Sequence, residues 1–196
     1  MFESIEALRS NIVSKGNVDT RYASRMLHRI PDMPTVPDRA RYLVEKSRDK
    51  VVLDIGSTGP ISQSIRQVAK KYYGIDRVPG EERIVVDLDH RPDQMPKLDD
   101  VEVVIASEVL EHLSNPGYFL MALKEHYPDR TVYITVPNAG AYHVRDGCEN
   151  VNAEHVCWYS AHTLKTLLER YGYRIQEARW YHGEPYKAEG IIMVVK

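Results

Sequence analysis

A carboxylate two residues ahead of a glycine, at the end of an apolar run, is the first pattern here that chemistry can use. It stands in Val51-Val52-Leu53-Asp54-Ile55-Gly56-Ser57-Thr58-Gly59-Pro60. Glycines after a strand let backbone approach a ligand closely. A turn built for a diphosphate reads G-x-G-x-x-G, and this one does not. Asp54 would repel a diphosphate and suits a ligand that carries positive charge. The next apolar stretch, Tyr73-Gly74-Ile75-Asp76, ends in an acid 20 residues beyond Gly56. That is the distance at which an acid accepts ribose hydroxyls in nucleotide-binding sheets. A third stretch ends at Asp87-Leu88, offering a polar edge and an apolar face to a flat ring. Taken singly, a glycine turn is a common loop and a strand-end Asp is a common helix cap. In order on successive strands, the three describe one elongated ligand site.

A second group of chemically capable residues follows the fourth apolar stretch. Glu108, Glu111 and His112 are spaced by three and four, which on a helix puts Glu108 on the same side as the other two. The segment Asn138–Cys157 is a connection of about 20 residues, and a stretch that long inside a domain is usually functional or disordered. It carries Tyr142, His143, Arg145, Asp146, Glu149, Asn150 and His155, and it is the expected acceptor-binding loop. Three roles stand open for these groups. His112 or His155 serves as a general base, with Glu108 beside it. Alternatively Glu108, Glu111, His112 and His155 hold a divalent ion, since oxygen and imidazole ligands together suit Mg, Mn or similar metals. Or Glu and His merely cap and brace a helix.

These residues need a scaffold, and the periodicity supplies one. Residues 2–30 read as helical, with Ile5, Leu8 and Ile12 at helical spacing. Pro31, Pro34 and Pro37 then break the chain. A helix over 38–48 is followed by strand 51–55, helix 61–71, strands 72–75 and 83–86, and strand 101–106 with helix continuing through Leu113. Pro116 suits a first helical turn capped by Ser114 or Asn115. Strand 131–136 follows, then a helix capped by Ser160 and ended by Gly172. Tyr173–Trp180 and Ile191–Val195 close the chain as an antiparallel hairpin. Alternating strands and helices predict an α/β fold: a three-layer α/β/α Rossmann-like sandwich around a seven-stranded, mostly parallel sheet with an antiparallel last strand. Ligands in such sheets bind outside the carboxyl ends of the strands. The expected organisation is one structural domain, with residues 1–48 as an N-terminal helical lid over 49–196.

The order Leu53-Asp54-Ile55-Gly56, Gly74-Ile75-Asp76, Asp87-Leu88 resembles that of the class I S-adenosylmethionine-dependent methyltransferases. So does Ile105-Ala106-Ser107-Glu108-Val109-Leu110-Glu111-His112-Leu113-Ser114-Asn115-Pro116, as the segment after strand four. Thr135-Val136-Pro137-Asn138 resembles that superfamily's strand-five ending, and His155-Val156-Cys157-Trp158-Tyr159-Ser160 the region beyond it. The likeness covers roughly residues 40–196. It implies S-adenosyl-L-methionine as cofactor, with Asp54, Gly56, Ser57, Thr58 and Gly59 at its methionine part. It places Asp76 and Arg77 at the ribose, Asp87 and Leu88 at the adenine, and Ser107 beside the sulfonium. One departure is visible: Thr58 and Pro60 stand where the usual D-x-G-x-G-x-G loop has later glycines. The cluster Glu108, Glu111, His112 and distant His155 also resembles that of the small-RNA 3′-end 2′-O-methyltransferases, which implies a metal site.

Composition bounds the partners. The 196 residues carry a net charge of −2, so there is no global polycation to drive nucleic-acid binding. Residues 1–50 hold 10 Lys+Arg against 7 Asp+Glu, a mildly basic arm. Cys148 and Cys157 form no CxxC pair, which predicts reduced thiols and a cytoplasmic protein. No apolar run approaches membrane-spanning length, and no signal peptide is read at the N-terminus. The leading expectation is methyl transfer to O or N of a small molecule, such as a sugar or specialised metabolite, with no nucleic-acid partner. Its rivals are a metal-dependent RNA 2′-O-methyltransferase and a methyltransferase-like scaffold without turnover. A nicotinamide oxidoreductase stands further off, because G-x-G-x-x-G is missing.

Overall fold

The computed structural model describes residues 33–139, 152–183 and 188–196. The helix expected over 2–30, and with it most of the lid, lies outside these residues, as do Tyr142, His143, Arg145, Asp146, Glu149 and Asn150 of the expected acceptor loop.

Eight strands form one sheet. In chain order they are β1 (Thr35–Val36), β2 (Val51–Ile55), β3 (Lys71–Asp76), β4 (Arg83–Val85), β5 (Val103–Ser107), β6 (Thr131–Pro137), β7 (Ile175–Tyr181) and β8 (Gly190–Val195). Among the described residues four α-helices connect them: α1 (Arg39–Ser47), α2 (Pro60–Val68), α3 (Pro116–His126) and α4 (Ala161–Arg170). The spatial order is β1-β7-β8-β6-β5-β2-β3-β4. All pairings are parallel except those of β8 with β6 and β7. The predicted α/β fold with an antiparallel last strand is therefore present, with one strand more than the seven expected. The addition is β1, whose two residues pair with Trp180 and Tyr181. Two residues between prolines carry no periodicity, so no sequence pattern marks them as a strand.

Central strands are buried along their whole length. Every residue of β2 and of β8 is buried, which explains why both, Asp54 apart, read as apolar runs rather than alternations. Leu53, Ile55, Ile75, Ile105 and Ile134 are fully buried. Residues 33–48, grouped by sequence with the arm, contribute β1 to the sheet edge and Leu43 to the core cluster with Val52, Ile65 and Ile105.

Two helix starts follow their caps. The Asn115 side chain accepts from Tyr118 N at the head of α3, with Pro116 in its first turn. Ser160 and Thr163 form a reciprocal capping box at the head of α4. The helix expected to run on from β5 through Leu113 is instead a single 3-10 turn, Leu110–His112. Its reason is local. Glu108 has φ 56, which no helix tolerates, and Leu113 is extended, so the chain restarts at Asn115.

Candidate functional site

The carboxyl ends of β2 to β5 open on a cleft of about 710 Å3, walled by Gly56, Thr58, Asp76, Arg77, Asp87, Leu88, Glu108, Val109 and His112 among others. That volume is within the roughly 300–1,000 Å3 of small-molecule sites. The turn at its centre depends on Gly56. Its φ is +75, and a Cβ there would lie 2.8 Å from Val109 Cγ2. Gly56 N and Ser57 N both donate to Ile75 O, at 2.9 and 3.0 Å, tying the turn to β3. Gly59 is the N-cap position of α2 and Pro60 its first residue, so Pro60, one of the two departures from the usual glycine loop, serves here as a helix start. Thr58 faces the cleft.

On the β3 and β4 side, Asp76 Oδ1 accepts from Val78 N at 2.9 Å, which fixes the carboxylate at the rim. Asp87 Oδ1 accepts from the backbone of Asp89 and His90, and its Oδ2 lies 3.0 Å from His90 Nδ1. Against slight desolvation, these bonds hold the Asp87 carboxyl below the usual range. Leu88 is buried beneath the wall, and Val78 and Val85 stand exposed along it. Those two valines went unread in the sequence; they add apolar surface of the kind a ring needs.

Asp54, put forward from sequence as a partner for positive charge, lies in a buried position. It is 2% exposed, and Tyr72 OH donates to its Oδ2 at 2.7 Å. Burial pushes its pKa up to about 6, with Asp76 adding repulsion and bonds from Ser62 and Tyr72 opposing. Asp54 is thus the floor under the turn rather than its wall. Ser57 is also buried, and Ser107 Oγ sits 3.0 Å from Thr135 Oγ1 at the end of β5.

Glu108 is the hub of the β5 side. Its Oε1 accepts from Arg39 Nη1 at 2.7 Å, Thr135 Oγ1 at 2.9 Å and Tyr181 OH at 3.0 Å. The Arg39 guanidinium lies 5.0 Å over the Tyr181 ring. Burial would lower the Arg39 pKa, but Glu108 and Tyr181 hold it above its ordinary value. Tyr181 reaches Glu108 by lying across Gly190, where a Cβ would run into its ring. Arg39 and Tyr181 come from opposite ends of the chain, and no local spacing links them to Glu108.

Glu111, His112 and His155 form a separate group, each with a possible ligand atom within 4.8 Å of the others. The shared helix face expected for Glu108 with Glu111 and His112 does not occur, because Glu108 is left-handed and the turn beyond it is 3-10. His112 and His155 pack edge to face, with centroids 4.8 Å apart. Their contact is secured by Val156 N and Cys157 N, which donate to Glu111 O at 2.8 and 3.0 Å. The Glu111 side chain is 1% exposed, and neither carboxylate oxygen has a hydrogen-bond partner among the described residues. Burial, then the charge of Glu108, pushes its pKa up to about 8. Burial and the neighbouring His112 lower that of His155, which favours the neutral imidazole. An imidazole beside a carboxyl group can take a proton or hold a divalent ion. Among the described residues no helix is long and apolar enough to cross a membrane.

Comparison with known proteins bears on this arrangement. Residues 19–178 match the family described as Methyltransferase domain. No curated protein matches the sequence. Many solved structures share its fold. A SAM-dependent methyltransferase from Archaeoglobus fulgidus is similar at 15% identity and TM-score 0.62, over 80% of this chain and 90% of that one. The small RNA methyltransferase HEN1 is similar at 14% identity and TM-score 0.67, over 81% of this chain and 24% of that one. The Burkholderia thailandensis 1,6-didemethyltoxoflavin-N1-methyltransferase is similar at 14% identity and TM-score 0.59, over 100% and 91%.

Proposed function

The chain belongs to the Methyltransferase domain family and is an S-adenosylmethionine-dependent methyltransferase, and from that premise we propose that it methylates a hydroxyl oxygen of a small molecule bound over Glu111, His112 and His155. The Glu111 carboxyl group carries this reading: it is buried, has no hydrogen-bond partner on either oxygen among the described residues, and is grouped with two imidazoles. A buried carboxylate without a partner is costly. One oxygen and two imidazole nitrogens suit a divalent cation, which would offset that cost and lower the pKa of a bound hydroxyl.

The residues present fit the cofactor. Gly56 leaves the turn bare where a Cβ would collide with Val109, so the methionine part can approach backbone. Asp76 is set to accept ribose hydroxyls and Asp87-Leu88 to meet the adenine. When bound, S-adenosylmethionine supplies a methyl group on a sulfonium. The methyl group would pass from sulfur to the acceptor oxygen; with a cation held by Glu111, His112 and His155 the hydroxyl proton would leave to solvent, and without one it would pass to His112 or to His155, whose neutral form is favoured by burial and by His112. Positioning two reactants in one cleft supplies much of the rate.

A small acceptor is favoured by the cleft wall, which carries Asp76, Asp87, Asp89, Glu108 and Glu154 and would repel a phosphate backbone. A second reading is 2′-O-methylation at an RNA 3′ end, favoured by the Glu–His–His group together with the similarity to HEN1. The test measures labelled-methyl transfer to a panel of hydroxylated small molecules and to short RNAs, with chelator and then with Mg or Mn restored. Transfer to a small molecule that chelator stops and metal restores is expected. Transfer only to RNA would establish the second reading. Transfer that survives chelator would remove the cation and leave His112 or His155 as a base.

A further inference from the structure

Glu108 has one oxygen crowded and one spare. Arg39, Thr135 and Tyr181 all converge on Oε1, while no donor among the described residues meets Oε2. The residue lines the cleft, and its side chain is a quarter exposed. Three donors on one oxygen cannot be needed to satisfy it; they fix the direction of the other.

The sheet order says what lies in that direction. Asp76 ends β3, Gly56 follows β2 and Glu108 follows β5, and these strands are neighbours in the order β3, β2, β5. A ligand with its ribose at Asp76, crossing the glycine turn, brings its amino-acid end to β5. Val109, next to Glu108, is the side chain packed closest on Gly56. The methionine moiety carries an α-ammonium, which needs an anionic acceptor. Other carboxylates of the cofactor half are committed elsewhere. Asp54 lies under the turn with Tyr72 on it. Asp76 and Asp87 stand at the adenosine end, each partly occupied by backbone donors.

We infer that Glu108 receives the cofactor's α-ammonium on Oε2, and that Arg39, Thr135 and Tyr181 position it by holding Oε1. Glu108 is then a cofactor-binding residue rather than the acid–base group its place beside His112 suggests. Arg39 is absent from the cleft wall and acts through Glu108. It sits at the head of α1, ahead of the strand that carries the glycine turn. The inference rests on the cofactor assignment made above.

Calorimetric titrations with two ligands test it. S-adenosylhomocysteine has the amino-acid part, and 5′-methylthioadenosine has the adenosine and thioether without it. Glu108→Gln, which keeps the shape and removes the charge, is expected to weaken S-adenosylhomocysteine by about 10- to 100-fold, the loss typical of a hydrogen bond to a charged group. It should leave 5′-methylthioadenosine affinity unchanged. Arg39→Met is expected to give a smaller loss with the same ligand dependence, and no further loss in the Glu108→Gln background. Equal losses for both ligands would show damage to the glycine turn and overturn the inference, as would unchanged binding of S-adenosylhomocysteine. Wild-type protein that binds neither ligand would overturn the cofactor assignment itself, an outcome distinct from either. Thermal melts of each variant separate misfolding from lost recognition.

Discussion

The two halves of the cleft are finished to different degrees. On the β2–β4 side the polar groups are largely satisfied by the protein itself. Asp54 has Tyr72, Asp76 has Val78 N, and Asp87 has the backbone of Asp89 and His90. The glycine turn is bound to β3 through Ile75 O. On the β5 side, Glu111 is buried with neither oxygen hydrogen-bonded among the described residues, and two imidazoles pack edge to face beside it. The first half is a preformed receptor whose shape is set by backbone. The second is a set of side chains that, in the proposed function, a ligand or ion completes. A buried polar group left unsatisfied costs on the order of 1–3 kcal/mol, more when charged, so this half is retained against stability.

Breaking the preformed half should have the largest effect. Gly56→Val forces a branched side chain to φ +75 and into Val109; S-adenosylhomocysteine binding should disappear in calorimetry, while circular dichroism still reports the fold. Retained binding would mean that the ligand does not cross this turn. Next comes Asp54, whose raised pKa has a defined sign. Its folded value of about 6 exceeds the ordinary carboxyl value of 3.8, so between those values the native state binds more protons and stability falls as pH rises. The shift corresponds to about 3 kcal/mol at pH above 6. Denaturant unfolding of Asp54→Asn should lack that decline between pH 4 and 6. A parallel pH profile for both proteins would place the Asp54 carboxyl in contact with water. Asp76→Ala should then cost about 1.5–3 kcal/mol of cofactor affinity, read by the same titration; an unchanged constant would take Asp76 out of the site. The smallest expected effect lies outside both halves: Ser160→Ala removes the capping box of α4 and should lower stability by about 1 kcal/mol without changing ligand binding.

The contrast also explains what could be read from sequence. The cofactor half is carried by local features: Asp54 and Gly56 close one strand, Asp76 the next, Asp87 follows the third. Each follows from strand-end chemistry within a few residues, and the sheet then aligns them. Even there, the burial of Asp54 and the Tyr72 hydroxyl that meets it from β3 carry no local sequence signal. The β5 half was visible only as a list of capable residues. Glu111, His112 and His155 were named, but their grouping needed the 3-10 turn and the bonds from Val156 and Cys157 to Glu111 O. Arg39 and Tyr181 were missed altogether. They lie 142 residues apart and meet Glu108 only because β1 and α1 pack onto the β7 edge. The two-residue strand β1 escaped for the same reason: its existence depends on its partner, not on its own pattern.

The bare carboxylate of Glu111 is the feature on which the proposed function turns, and a manganese titration of wild type and Glu111→Gln addresses it directly. Gln keeps the shape and removes a ligand charge, and relief of the buried acid should leave the melting temperature no lower. The account predicts saturable manganese binding by the wild type that falls by at least about tenfold in the variant, the scale of loss expected when a metal site's support is removed. Equal binding by both proteins, or none by a folded wild type, would contradict it and return the cluster to proton transfer alone.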